Sequence, residues 1–98
     1  MVTLSKITWR DFQKIIDILE EYGSQEEIVC ILKKVEKQAY NIEVNDLKKE
    51  DLHKITVIVD MWNITKGNEQ NYDEEYDKIG SKLQKAYFKN FQELVWVD

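Results

Sequence analysis

Leu52-His53-Lys54-Ile55-Thr56-Val57-Ile58-Val59-Asp60-Met61-Trp62-Asn63-Ile64 is the stretch on which the fold turns. At 100° per residue, its eight apolar side chains cover about two-thirds of a helical wheel. Only His53, Thr56, Asp60 and Asn63 form a narrow polar stripe. A helix apolar nearly all round belongs in the interior. The competing assignment is a strand, because Ile55–Val59 is a β-branched run. Tyr40-Asn41-Ile42-Glu43-Val44 and Leu94-Val95-Trp96-Val97 also alternate weakly. The alternatives are therefore an all-α fold and an α+β fold with a small sheet from 40–44, 55–59 and 94–97. The chain has no proline, the commonest interior breaker of a helix. The all-α assignment therefore leads: a compact bundle of about four helices, mostly antiparallel, in a single domain over 1–98.

Outward from that stretch, the third helix covers Leu47 or Asp51 to Lys66, before the turn Gly67-Asn68. Upstream, Trp9, Phe12, Ile15, Ile16, Leu19 and Tyr22 recur at spacings of three and four, predicting a first helix over Trp9–Tyr22. Thr8 is its N-cap, Asp11 completes a capping box, and Gly23 ends it. Ser24 and Glu27 open a second helix whose inner face is Ile28, Ile31, Leu32, Val35 and Ala39. Asn41–Asp46 reads as a loop. Downstream, Tyr72, Tyr76, Ile79, Leu83, Tyr87, Phe91 and Leu94 form a heptad-like seam on a fourth helix over Tyr72–Leu94. Gly80 within it suggests a close helix crossing.

Catalytic groups are scarce. The single histidine, His53, has Asp60 two turns away, about 10 Å along the axis and out of hydrogen-bonding reach. One histidine and one cysteine cannot supply a structural zinc site. The acids at 69–77 lack the spacing of a calcium-binding loop, and three scattered glycines make no phosphate loop. Asn63-Ile64-Thr65 matches a glycosylation sequon, but it lies inside the third helix. Cys30 lies near Lys33, Lys34 and Lys37, whose charges favour thiolate; the simpler expectation is a small residue covered by a neighbouring helix. No cofactor, metal or enzymatic activity is expected. A lone cysteine and the absence of a signal peptide or a membrane-length apolar run point to a cytoplasmic protein.

Charge is the most distinctive feature. Nineteen acids against fourteen bases give a formal charge of −5, which argues against general nucleic-acid binding. Between Lys14 and Lys33 there is no base, while Asp17, Glu20, Glu21, Glu26 and Glu27 accumulate. Between Lys66 and Lys78 there is again none, and Glu69, Asp73, Glu74, Glu75 and Asp77 follow one another. Lys78, Lys82, Lys85 and Lys89 then make a basic stripe on the fourth helix, opposite its apolar seam. Helix dipoles and solvated faces account for much of this. In size, helix layout and the segment Val35-Glu36-Lys37-Gln38-Ala39-Tyr40 leading into a loop, the chain resembles the small four-helix immunity and inhibitor proteins of bacteria and phages. No functional residue is carried over from that resemblance.

The expected function is thus a small acidic, non-catalytic protein-binding module: an inhibitor, immunity or regulatory protein docking on a basic partner. Its partner-binding residues would be Asp17, Glu20, Glu21, Glu69, Asp73, Glu74 and Asp77. One alternative is a structural subunit of a helical homo-oligomer, joined through the C-terminal apolar segment around Trp96. A second is a weak DNA-binding protein using its lysines.

Overall fold

The computed structural model describes residues 1–22, 26–67 and 74–93, with backbone alone at 66–67 and 74–77. Its order is β1 (Val2–Thr8), α1 (Trp9–Glu21), α2 (Glu26–Lys33), β2 (Tyr40–Val44), α3 (Lys49–Gly67) and α4 (Glu74–Phe91). β1 and β2 pair antiparallel as a two-stranded sheet. The all-α bundle expected from the sequence is thereby corrected to α+β, and with it the purely helical layout that suggested immunity proteins.

The alternative sheet is corrected in composition too. Residues 40–44 are a strand rather than a loop, but their partner is the N-terminal segment, and 55–59 are helical. Residues 94–97 lie outside the described residues. β1 pairs Val2 with Val44, Thr3 with Glu43 and Leu4 with Ile42, and then slips before Thr8 meets Tyr40. Lys6 and Asn41 take positive φ in this bulge, and the Asn41 side chain accepts the Lys6 N–H at 2.8 Å. The slip moves the inward position from Leu4 to Ile7, which destroys the period-two signal of a strand.

α1 begins as its sequence dictates: Thr8 Oγ1 accepts the Asp11 N–H, and Asp11 accepts the Thr8 N–H in return. α2 stops at Lys33, short of the Val35 and Ala39 positions expected on it. The following segment brings the Gln38 side chain alongside β2, where it both donates to the Glu43 carbonyl and accepts the Glu43 N–H.

α3 is helical despite its β-branched run. It has no internal breaker, Asp51 caps its start by accepting the Lys48 N–H, and a two-stranded sheet has no central position for it. It packs on α1 and α4. Its polar stripe is turned inward: Thr56 is fully buried, satisfied by donating to the Leu52 carbonyl at 2.8 Å, and Asn63 is buried too. Met61 and Ile64 are exposed instead, and Trp62, expected in the core, is half-buried. Gly80 of α4 explains the choice. A Cβ there would lie 2.7 Å from Asp60 Oδ1 and 3.0 Å from Asn63 Nδ2, so its absence admits the polar side chains between the helices. The core joins both strands to all four helices, with Ile7, Phe12, Leu19, Ile42, Leu52 and Leu83 among its fully buried members.

Candidate functional site

α1 turns Ile15, Ile16, Ile18 and Leu19 into the core, which leaves Asp17, Glu20 and Glu21 on its exposed side. Glu20 forms an ion pair with Lys33 of α2 at 2.5 Å. The hydrogen bond and charge of Glu20 hold the Lys33 ammonium above the usual lysine range. Glu21 Oε2 accepts the Trp62 indole N–H at 2.9 Å, tying the end of α1 to the C-terminal half of α3. Glu26 and Glu27 open α2 and are exposed. α4 starts at Glu74, and Gly80 sits against Asp60 and Asn63, so its N-terminal half runs beside that same half of α3.

The end of α1 and the start of α4 therefore both lie beside the C-terminal half of α3. Of the seven residues expected to bind a partner, Asp17, Glu20 and Glu21 are placed with exposed side chains. Glu74 and Asp77 are placed by backbone in the first turn of α4. Glu69, Asp73 and the terminal Trp96 segment fall outside the described residues, as do Gly23 and Ser24.

The lysine stripe is not one surface. Lys82 turns aside to Asp11 Oδ2 at 3.0 Å, while Lys78, Lys85 and Lys89 are exposed. Burial pushes the Asp11 carboxyl up, but Lys82 and the Thr8 cap outweigh it and hold it below its ordinary value. Cys30 is exposed rather than covered by a neighbouring helix.

A second cluster, unread in the sequence, lies near the N-terminal end of α3. Lys49 Nζ meets Glu93 Oε1 at 2.7 Å, Tyr87 O–H donates to Glu93 Oε2 at 3.4 Å, and the His53 ring stands edge-on to Tyr87 at 5.9 Å. Burial raises the Tyr87 hydroxyl, and the Lys49 hydrogen bond lowers Glu93. Each charge here is answered by another, so the cluster acts as a clasp between the start of α3 and the end of α4. Its only sequence signal is Lys49 and His53 at a helical spacing of four; their partners lie more than thirty residues on.

A cavity of about 480 Å³ opens at the C-terminal end of α2, lined by Met1, Ile31, Val35, Gln38, Glu43 and Asp46 among others. Its side chains offer no nucleophile paired with a base. Among the described residues no group of three or more His, Cys, Asp or Glu could hold a metal, and no helix is long and apolar enough to cross a membrane. No protein-family model, curated protein or solved structure matches the chain.

Proposed function

We propose that this chain is a small non-catalytic protein-binding module whose acidic end docks on a basic partner surface, as an inhibitor, immunity or regulatory protein would. The observation that carries this reading is the placement of two acidic helix ends beside one half of α3. The end of α1, with Asp17, Glu20 and Glu21, and the first turn of α4 are far apart in sequence, yet both lie beside the C-terminal half of α3. A surface of one sign accelerates encounter with an opposite one and rejects like-charged competitors. Met61 and Ile64, exposed on that half of α3, supply the apolar area that a protein contact needs. A cytoplasmic setting suits the single exposed thiol.

The test is capture from the native host at low salt, with the wild type as one bait. The other baits carry Asp17→Lys, Glu20→Lys and Glu21→Gln, or charge reversal at Glu69, Asp73, Glu74 and Asp77. Glutamine at 21 keeps an acceptor for Trp62 while removing the charge. The wild type should retain a basic protein that salt releases, and the altered baits, with unchanged circular dichroism, should not. Equal capture by all baits overturns the reading.

A further inference from the structure

The cavity at the C-terminal end of α2 is a trough between that helix end and the outer face of the sheet. Ile42 and Val44 turn into the core, so Glu43 between them points to the outer face. Ile31 and Val35, both half-buried, give the trough an apolar wall, and Met1 adds to it. At about 480 Å³ the space is of the size that small ligands occupy. The two hydrogen bonds between Gln38 and the Glu43 peptide group fix the connection that borders it.

Two features make the trough negative. Glu36, Glu43 and Asp46 line it against the single base Lys34. None of these four side chains enters an ion pair or a hydrogen bond among the described residues. The end of α2 also forms part of the wall, and the last carbonyls of a helix carry partial negative charge. Lys33, the base in that last turn, does not answer them, because it is drawn to Glu20.

We infer that this cavity binds a small organic cation, a protonated amine carried on an apolar body. The ammonium lies among the carboxylates at the end of α2, and the apolar body covers Met1, Ile31 and Val35. A metal ion does not fit the same space. Among the described residues no three carboxylates gather closely enough to hold one, whereas an ammonium needs only one or two. The cavity shares no residue with the docking surface proposed above, so the two readings stand or fall separately.

Chemical-shift titration of the full chain tests it with three probes of similar shape: phenethylamine, phenethyl alcohol and hydrocinnamate. The amine should shift Met1, Ile31, Val35 and Glu43 saturably, and bind at least about tenfold tighter than the alcohol, as a charge-assisted hydrogen bond allows. Hydrocinnamate should shift none of them. Methylamine, which lacks the apolar body, should bind at least about tenfold more weakly than phenethylamine. Glu43→Gln with Asp46→Asn should abolish the advantage of amine over alcohol; asparagine tolerates the positive φ at 46. Unchanged alcohol binding in that variant shows that the cavity is intact. Asp17→Lys with Glu21→Gln, which alters the docking end, should leave the affinity for amine as it was. No saturable shift at millimolar amine, equal affinity for amine and alcohol, or equally large shifts at the acids of α1 each overturn the proposal.

Discussion

Asn90 treats Thr3 as a neighbouring strand would: its Nδ2 donates to the Thr3 carbonyl at 2.9 Å while its Oδ1 accepts the Thr3 N–H at 3.3 Å. Directly across the sheet, Glu43 is held by Gln38 in the same two-bonded manner, at 3.1 and 3.0 Å. Thr3 and Glu43 face each other and turn their peptide groups outward, so two side-chain amides close both edges of the sheet at one level. Two strands alone are marginal, and open edges invite pairing with other chains.

Replacing Asn90 with leucine leaves the outward peptide groups of Thr3 without their partner. The expected loss is about 1–3 kcal/mol, read from urea unfolding with an unchanged slope. Gln38→Ala, at an exposed site, should cost less. Wild-type stability in Asn90→Leu would show that the amide clamp does not support the sheet.

Gly80→Ala sets a helix-propensity gain of about 1 kcal/mol against a Cβ that Asp60 and Asn63 already crowd. Moving Asp60 aside disturbs its hydrogen bond from Gln84, at 3.0 Å. The substitution should therefore destabilise the wild type, and its cost should fall by about 1 kcal/mol in an Asp60→Ala background. A double-mutant cycle of thermal or urea unfolding measures this coupling; strict additivity would contradict it.

Thr8→Ala removes the N-cap of α1 and should cost about 1 kcal/mol in denaturant unfolding. Asp11, its partner, also gives stability a pH dependence. Its folded pKa lies below its unfolded value of about 3.9. That contribution is therefore complete above this value and is lost as pH falls through the lowered folded pKa. Glu93, lowered by Lys49, acts in the same direction. Lys82→Met should flatten the acid limb of a stability–pH curve and leave its neutral slope unchanged.

Cys30 should react in the native state as fast as an accessible thiol does, because it is exposed on α2. Ellman's reagent with and without denaturant provides the comparison. A native rate more than about tenfold slower would place the thiol under cover.

Much of the helical framework was legible locally. Thr8 with Asp11, the spacing of Phe12, Ile15 and Leu19, and the Ile79–Leu83–Tyr87 seam all speak through neighbours three or four residues away. β1 was not legible, because the bulge at Lys6 breaks the alternation of Val2, Leu4 and Ile7. Nor was the clasp around Glu93: Lys49 meets it across forty-four residues, and no local pattern encodes such a pair.

By itself the sequence determined where α1 and α3 form, where α4 carries its apolar seam, and that acids and lysines are segregated along the chain. Capping, periodicity and charge order act within one or two turns. Only the tertiary structure decided that the N-terminus is a strand and that the polar stripe of α3 faces Gly80 rather than water. It also decided that Lys82 leaves its stripe for Asp11, and that the end of α1 and the start of α4 lie beside the same half of α3. Each of these depends on residues brought together across the chain, where packing and hydrogen-bond satisfaction outweigh local preference.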